Sequence, residues 1–337
     1  MDQPASRGDF ARLASHLFLT GGSGYVGRNL IRHLVAQGVE VTALARSARA
    51  ADIVRAAGAR PCHADLFDPG LADAMAGCRA LIHAAADISH IRGTAEQQRV
   101  NVDGTAHVFA AARAAGIKRA IHISTESVLL DGRPLIAATE RHPLPRRFPG
   151  AYSRSKAAAE QIALASNAPE LAVIVLRPRF VWGRDDTTAL PALTEAARSG
   201  KLAWIGGGTY LTSTTHIANL CAAVELALAN GRGGEVYFIS DGPPVSFRAF
   251  VSALLETQGL VPPAKSIPRP VVRAIATIGD LVGAVTGGRI SSPLTRQSYA
   301  TSAVEVSLNI GKAQRELAYV PVISREQGLE ELRSAQH

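Results

Sequence analysis

A glycine-rich turn near the N-terminus constrains the fold of this chain more than any other feature of its 337 residues. Thr20-Gly21-Gly22-Ser23-Gly24-Tyr25-Val26-Gly27 follows an apolar run, 16–20, that predicts a strand, and it precedes apolar residues at helical spacing. In such a turn the glycines permit a tight bend, a close approach of a pyrophosphate to the backbone, and close helix–strand packing. The free N–H groups at the helix start favour an anion. We therefore predict a dinucleotide site, against the alternative of a turn without a ligand, at Gly21, Gly24, Tyr25, Val26 and Gly27.

Short apolar runs alternate with helical stretches through the first half of the chain, which is typical of a parallel α/β sheet. The predicted strands are 16–20, 39–45, 59–63, 80–84, 119–124, 171–176 and 235–239, and the predicted helices include 26–35, 93–115 and 150–167. After residue 177, Pro and Gly interrupt this pattern. The sequence predicts an α/β fold: a Rossmann-type doubly wound parallel sheet with a smaller, partly discontinuous C-terminal substrate lobe. The predicted cofactor domain is 1–177, with 212–240 returning to it, and the predicted substrate lobe is 178–211 and 241–337.

The charge and cysteine content exclude several classes of protein. The net charge is +8, but the basic residues are scattered and form no stripe with aromatic residues, which argues against nucleic-acid binding. No apolar run reaches the ~18 residues that a membrane-spanning helix needs, and the N-terminus lacks the pattern of a secretory signal. Cys62, Cys78 and Cys221 are widely separated without metal-type spacing. We therefore expect a cytoplasmic protein with reduced thiols and no metal.

The Gly-x-x-Gly-x-x-Gly spacing resembles that of the extended branch of the short-chain dehydrogenase/reductase superfamily, the NAD-dependent epimerase/dehydratase superfamily. At the end of the second strand an acidic residue would bind the ribose 2′-hydroxyl of NAD, whereas an arginine accommodates the 2′-phosphate of NADP. This chain has Arg46 there and no acidic residue before Asp52. Arg46 therefore favours NADP(H) over NAD(H). The alternatives are an arginine that merely ends a strand in solvent, and NAD use by relatives that carry an arginine here.

The same resemblance implies further residues near the cofactor. The matching Asp-Leu pair of extended members, here Asp65 and Leu66, contacts the adenine, although an isolated aspartate more often caps a helix. Ala84 and Ala85 match a small-residue turn that lets the ribose pass close. Asn101 matches a helix residue that supports the catalytic lysine through water.

Tyr152 and Lys156 have the i, i+4 spacing that places two side chains on one face of a helix. A phenol titrates near ~10, and a neighbouring ammonium lowers its pKa by favouring the phenolate. The remaining donors of the lysine can hold the nicotinamide ribose. We predict that both residues are catalytic and contact the cofactor, against the alternative of a surface pair.

A third catalytic residue is expected at the carboxyl end of the strand 119–124, where open α/β sheets bind ligands. Extended relatives carry Ser-[Ser/Thr]-x-x-Val there, with the second hydroxyl catalytic. The resemblance thus implies that Thr125 hydrogen-bonds the substrate oxygen, with Ser124 as a supporting or alternative residue, and that His122 is structural. In reduction, Tyr152 would donate a proton to the developing alkoxide while the nicotinamide delivers a hydride.

The second half resembles 3β-hydroxysteroid dehydrogenase-like enzymes. Residues 176–183 match their Arg-Pro-x-x-(Val/Ile)-(Tyr/Trp)-Gly segment, which also places Pro178 at the cofactor. Nucleotide-sugar enzymes of this superfamily commonly have an Asn and an Arg where this chain has Phe180 and Thr212. We therefore expect an NAD(P)-dependent oxidoreductase that interconverts a secondary alcohol and a ketone on a largely apolar substrate, either sterol-like or β-keto acid-like. The alternatives are a nucleotide-sugar epimerase or dehydratase and a non-catalytic dinucleotide-binding redox sensor.

Residues 270–286 predict an amphipathic helix. Its apolar positions are Val271, Ile275, Ile278, Val282 and Val285. Three interpretations stay open: a helix packed on the substrate lobe, a hydrophobic lid, and a peripheral contact with a membrane surface. Relatives often pair through two long helices, so the resemblance also implies a homodimer.

Overall fold

A computed structural model describes residues 15–88, 95–286 and 294–335. Its strands are β1 His16–Thr20, β2 Glu40–Leu44, β3 Arg60–Cys62, β4 Ala80–His83, β5 Arg119–Ile123, β6 Leu135–Ala138, β7 Ala172–Pro178, β8 Val181–Trp182, β9 Trp204–Ile205, β10 Leu211–Thr212, β11 Thr215–His216, β12 Val236–Ile239, β13 Val245–Ser246, β14 Ser266–Ile267 and β15 Val306–Leu308. Its helices are α1 Tyr25–Ala36, α2 Ala48–Ala56, α3 Leu71–Ala74, α4 Ala95–Gln98, α5 Gly104–Ala114, α6 Ala151–Ala165, α7 Ala189–Arg198, α8 Ile217–Asn230, α9 Phe247–Thr257, α10 Arg269–Val285, α11 Arg296–Ser302, α12 Gly311–Glu316 and α13 Arg325–Ser334.

The main sheet has the strand order β12-β7-β5-β4-β1-β2-β3, and its neighbouring strands are parallel. Successive residues of β1 point to opposite faces: Leu17 and Leu19 lie in one hydrophobic core, and Phe18 lies in a second. Helices therefore cover both faces, and the strands read as continuous apolar runs. The predicted doubly wound α/β fold is confirmed.

A smaller four-stranded sheet has the order β13-β10-β15-β6. Its strand β6 comes from the first half of the chain and pairs with β15, whereas β12 returns from the second half to pair with β7. Each sheet thus contains a strand from the half of the chain that supplies most of the other sheet. The domain boundaries at residues 177, 211 and 240 stay a prediction.

The predicted helix 93–115 is interrupted. Residues 93–94 lie outside the described residues, α4 leads into a π-helical turn, Arg99–Asp103, and α5 follows. A π-helical turn inside a helix is frequent at functional sites. This one carries Asn101.

The amphipathic helix at 270–286 forms as α10, but its apolar face points to solvent. Val271, Ile278 and Val285 are 47%, 60% and 80% exposed, whereas Val272 and Ala276 face the protein. The apolar stripe therefore does not make the contact with the rest of the protein, and the lid and the membrane contact stay predictions for it. The helix is held instead through its smaller residues.

None of the helices among the described residues is long and apolar enough to cross a membrane. Cys62, Cys78 and Cys221 are free thiols. In the described part of the chain, no group of three His, Cys, Asp or Glu side chains could hold a metal ion.

Candidate active site

The glycine turn between β1 and α1 leaves no room for side chains. Gly21 has a φ of +76°, and a Cβ added to it would lie 2.7 Å from the Ala85 nitrogen. A Cβ on Gly27 would lie 2.1 Å from the Gly21 oxygen, so both positions need glycine. Helix α1 begins after Gly24 without a side-chain cap, and its first N–H groups stay available for an anion. This cradle fits the pyrophosphate of a dinucleotide.

The residues predicted around the cofactor's ribose and adenine lie at the same edge of the sheet. Ala84 and Ala85 follow β4, where the Ala85 nitrogen donates to Thr20 Oγ1 at 3.3 Å. Arg46 is exposed directly beyond β2, and no hydrogen bond or ion pair engages it within the described ranges. Asp65 Oδ1 accepts from the Phe67 nitrogen at 2.7 Å, so this carboxylate caps a turn.

The remaining residues predicted at the cofactor are buried or half-buried: Leu66, Pro178, Tyr25 and Val26. Leu66 packs beneath Gly104, where an added Cβ would lie 3.1 Å from its Cδ1. Pro178 ends β7 and is buried. Tyr25 is buried with its hydroxyl unpartnered among the described residues, while Val26 is half-buried.

Lys156 lies on α6 and is buried. Its Nζ donates to the Ile123 carbonyl at 2.8 Å, which ties the ammonium to the end of β5. Burial lowers the pKa of Lys156 to about 8, and the carboxylate of Glu160, one turn along α6, acts in the opposite direction. The lysine is therefore charged at neutral pH but close to its titration range.

Tyr152 shares this helix and is hydrogen-bonded to the side chain of Thr125. Burial raises the pKa of Tyr152 above its ordinary value, the negative charge of Glu126 raises it further, and the bond to Thr125 opposes both. Lys156, which we expected to lower the pKa of Tyr152, is not the main influence on it. The ammonium donates to the Ile123 carbonyl, and the charge that acts on the phenol is the carboxylate of Glu126.

The two hydroxyls at the end of β5 face different partners. Ser124 Oγ donates to Glu160 Oε2 at 2.6 Å, and Arg177 Nε donates to the same oxygen at 2.8 Å. Thr125 Oγ1 instead donates to Glu126 Oε2 at 2.8 Å and is bonded to Tyr152. This arrangement brings Thr125 to Tyr152, whereas Ser124 bonds the carboxylate that acts on Lys156.

Sequence reasoning missed a second buried ion pair, between Glu126 and Arg179. Arg179 Nη1 donates to Glu126 Oε1 at 2.5 Å, its Nε donates to Thr212 Oγ1 at 3.0 Å, and its Nη2 donates to the Thr301 carbonyl at 3.0 Å. Both charged side chains are at most 5% exposed. The available signals were a glutamate directly after the catalytic hydroxyl and a second arginine in Arg177-Pro178-Arg179.

Asn101 reaches the catalytic helix through a serine. Its Nδ2 donates to Ser155 Oγ at 3.0 Å, and Ser155 Oγ donates to the Tyr152 carbonyl at 3.0 Å. Its Oδ1 accepts from the Asp87 nitrogen at 2.7 Å. The water-mediated support of Lys156 stays a prediction, and the direct contacts of Asn101 fix the start of α6.

Two buried histidines lie near Lys156. His83 bonds Thr20 Oγ1 at 2.7 Å and Thr105 Oγ1 at 2.9 Å. Burial, and then the charge of Lys156, lower the pKa of His83 to about 3 and hold that of His122 well below its usual range. Both rings are therefore neutral at physiological pH, as a structural role requires.

Phe180 lies in an apolar cluster of the substrate lobe. Its ring packs edge-on against Phe250 with the centroids 5.4 Å apart, and Leu190 and Leu193 adjoin the same cluster. Thr212 is committed to Arg179. Neither position offers a free polar group for a diphosphate.

A parallel Rossmann sheet with this glycine turn and a Tyr-x-x-x-Lys helix defines an NAD(P)-dependent dehydrogenase or reductase of the extended short-chain type. The 3-beta hydroxysteroid dehydrogenase/isomerase family matches residues 18–269. The chain belongs to that family. It is an NAD(P)-dependent oxidoreductase that interconverts an alcohol and a ketone on a largely apolar small molecule.

Three comparisons illustrate the range of relatives. A protein of Stigmatella aurantiaca named 4-hydroxy-2-methyl-3-oxo-4-farnesyl-3,4-dihydroquinoline-1-oxide ketoreductase is 48% identical over 94% of this chain and 96% of its own. A 2-alkyl-3-oxoalkanoate reductase of Stenotrophomonas maltophilia is 34% identical over 95% of this chain and 98% of its own. The structure of DesIV, a dTDP-glucose 4,6-dehydratase from Streptomyces venezuelae with NAD and TYD bound, aligns with a TM-score of 0.73 and 26% identity over 95% and 97% of the two chains.

Proposed function

We propose that this chain reduces the ketone of an apolar substrate, either a ring ketone that carries a long apolar group or a 2-alkyl-3-oxo acid. The observation that carries the proposal is the contact of Tyr152 with Thr125 at the carboxyl end of β5, with Lys156 on the same helix. The apolar surroundings of Phe180 favour such a substrate over a nucleotide sugar. The names of the two similar reductases support the same choice.

In this mechanism the chain's own residues bind, orient and protonate. The turn at Gly21, Gly24 and Gly27 would hold the pyrophosphate, and Lys156 would hold the nicotinamide ribose. A reduced nicotinamide, when bound, supplies the hydride that goes to the carbonyl carbon. Tyr152 donates its phenolic proton to the carbonyl oxygen, so the ketone gains one hydride and one proton. Thr125, which is bonded to Tyr152, would hydrogen-bond the same oxygen and orient it toward the phenol.

The test is oxidation of NADPH or NADH by the purified protein with a ketosteroid, a 2-alkyl-3-oxoalkanoate and a UDP-sugar. We expect turnover of an apolar ketone and none of the UDP-sugar. Tyr152→Phe should lower kcat/KM by about a thousandfold, since it removes the proton donor. Turnover of the UDP-sugar alone would overturn the substrate class, and full activity of Tyr152→Phe would overturn the mechanism.

For the cofactor, we propose a preference for NADP(H) over NAD(H). Arg46 is exposed at the end of β2 without an acidic residue beside it, where a 2′-phosphate would lie. Arg46→Ala should raise the KM for NADPH about tenfold and leave that for NADH unchanged, while the control Arg133→Ala removes an exposed charge elsewhere. Equal effects of Arg46→Ala on both cofactors would contradict this assignment.

We also propose that the exposed face of α10 makes a peripheral contact with a membrane surface, in a cytoplasmic protein. Ile278 and Leu281 are 60% and 64% exposed on this face, and Arg269 and Arg273 lie on the same helix. Ile278→Asp should weaken cosedimentation with anionic lipid vesicles. Val261→Asp alters a residue that is 88% exposed in another part of the surface and serves as the control. If both variants bind the vesicles equally, the proposed membrane contact is wrong, and a lid is then the better explanation of the exposed face of α10.

A homodimer through α5 and α6 is the oligomeric state that we propose. Ala110 on α5 and Arg154 on α6 are exposed on these helices. Light scattering should give twice the chain mass, and Ala110→Glu should reduce it. A native protein that scatters as a single chain would exclude this pairing.

A further inference from the structure

Helix α6, which carries Tyr152 and Lys156, begins without a side-chain cap of its own. Its N-cap residue is Gly150, whose backbone is extended and which has no side chain to accept from the first turn. Helices α2, α9, α11 and α13, by contrast, are capped locally by the hydroxyls of Ser47, Ser246, Thr295 and Ser324. The first turn of α6 is therefore left to a residue from elsewhere in the chain.

Gln297 on α11 supplies this cap from 144 positions beyond Ser153. Its Oε1 accepts from the Ser153 nitrogen at 3.3 Å, which is the third N–H of α6 and one that an N-cap side chain ordinarily bonds. A Cβ added to Gly150 would lie 2.7 Å from Gln297 Oε1 and 2.8 Å from Gln297 Cβ, so the glutamine fits only against a glycine. Gly150 and Gln297 therefore form a matched pair.

Stability alone does not explain a glutamine at this place. Gln297 is 2% exposed, and its Nε2 has no partner among the described residues. A buried amide donor without a partner is costly, whereas a local hydroxyl cap such as that of α9 has no such cost. The arrangement therefore gives up some stability in exchange for a contact between α6 and α11.

A second contact of α11 also lies near the predicted catalytic residues. One turn beyond Gln297, the Thr301 carbonyl accepts from Arg179 Nη2 at 3.0 Å. Arg179 pairs with Glu126, which directly follows Thr125 in the chain. Helix α11 thus contacts both the start of α6 and the ion pair next to Thr125.

Helix α11 is itself held in place by contacts at its start. Thr295 Oγ1 accepts from the Ser298 nitrogen at 3.1 Å, and Ser298 Oγ accepts from the Thr295 nitrogen at 2.8 Å, which forms a capping box. Arg296 Nε donates to Asp280 Oδ2 of α10 at 2.7 Å. Gln297 therefore extends from a fixed helical turn.

We propose that Gln297 is a positioning residue that docks α11, in the predicted substrate lobe, onto the first turn of α6 and so fixes Tyr152 relative to the bound ketone. Tyr152 directly precedes Ser153, so a shift of the capped N–H displaces the proton donor. Asn101 holds the same helix start through Ser155, so two distant parts of the chain fix it together. The inference rests on the proposed function, because it concerns the residue that donates the proton.

The test measures kcat and KM for ketone reduction, the Kd for NADPH by isothermal titration calorimetry, and Tm. Gln297→Gly should lower kcat about tenfold, since a small misplacement of a reacting group slows the reaction strongly. The KM for the ketone should change less than about threefold, and the Kd for NADPH should stay native, because the cofactor turn lies between β1 and α1. Gln327→Gly is the matched control. Gln327 Oε1 accepts from the Ser324 nitrogen at 2.8 Å at the start of α13, so this variant also loses a glutamine cap but should keep the native kcat.

A second variant separates docking from helix capping. Gly150→Ser combined with Gln297→Gly returns a local cap to α6 without a clash, because the closest contacts of an added Cβ are all with Gln297. The double variant should melt about 2 °C above Gln297→Gly. Its kcat should stay low, since α11 no longer holds the start of α6. Native kcat in either variant would overturn the inference.

The two possible failures give different results. If the native protein reduces no apolar ketone, or if Tyr152→Phe keeps full activity, the proposed function fails and this inference fails with it. If Tyr152→Phe is inactive while Gln297→Gly has the native kcat, the proposed function stands and only the docking role of Gln297 is wrong.

Discussion

Two buried glutamate–arginine pairs lie near the predicted catalytic residues Tyr152 and Lys156, and they act on different groups. Glu160 pairs with Arg177 through two hydrogen bonds and accepts from Ser124. Glu126 pairs with Arg179 and accepts from Thr125. The first pair joins α6 to β7 within the main sheet, whereas the second joins the end of β5 to β10 and α11.

The difference lies in the group that each carboxylate faces. Glu160 raises the pKa of Lys156 against the effect of burial, which favours the charged ammonium. Glu126 raises the pKa of Tyr152 in addition to burial, which disfavours the charged phenolate. Both carboxylates therefore favour the protonated form of their neighbour, because a negative charge stabilises a cation and destabilises an anion. The lysine and the phenol are thus both favoured in their protonated forms, which suits the proposed reduction of a ketone.

The largest expected effect comes from Lys156→Met, which removes the buried cation that Glu160 stabilises. Activity should fall about a thousandfold, since we propose that the ammonium holds the nicotinamide ribose beside Tyr152. Stability should rise at pH 7. The pKa of Lys156 falls from 10.5 to about 8 on folding, which corresponds to a cost of about 3 kcal/mol for burying the charge.

The sign of the pH dependence checks this explanation. Between about pH 8 and 10.5 the unfolded chain holds the lysine proton and the folded chain has lost it, so native stability gains from rising pH through that window. The Met variant lacks this gain, and its advantage over the native protein should shrink from pH 7 to pH 9.5 in urea unfolding. Parallel stability curves for the two proteins would mean that burial does not perturb Lys156.

The next expected effect separates the two hydroxyls. Thr125→Val should lower kcat/KM about a hundredfold, because Tyr152 loses the hydroxyl that is bonded to it. Ser124→Ala should change kcat/KM less than about threefold and lower the free energy of unfolding by about 1 kcal/mol, because Ser124 bonds only the buried Glu160 pair. A larger fall in kcat/KM for Ser124→Ala than for Thr125→Val would contradict this assignment of the two pairs.

Local patterns predicted the parts of the site that depend on local structure. The glycine turn, the strand ends and the i, i+4 pair at Tyr152 each depend on neighbouring residues, so spacing together with position relative to the strands predicted them. The partners of Arg179 could not be found this way, since Thr301 lies 122 positions further along the chain. The apolar spacing in α10 likewise predicted a stripe but not its orientation. Small residues such as Ala276 let the opposite face pack against the protein.

The smallest expected effect concerns cofactor affinity and distinguishes the two carboxylates directly. Glu160→Gln combined with Arg177→Met removes the Glu160–Arg177 ion pair without leaving a buried charge unpaired. The pKa of Lys156 should then fall further below about 8, because burial acts without its counter-charge. Since the ammonium is expected to hold the nicotinamide ribose, the Kd for NADPH should weaken about threefold between pH 7 and pH 8, more steeply than in the native protein.

Glu126→Gln combined with Arg179→Met is the matched comparison for this titration, because it removes the same charges next to Tyr152. Its Kd for NADPH should follow the native pH dependence, since Lys156 keeps Glu160 at its side. Isothermal titration calorimetry at both pH values measures the two constants without turnover. If both double variants weaken cofactor binding alike, the two pairs act as one electrostatic unit, and the assignment of one carboxylate to the lysine and the other to the tyrosine is wrong.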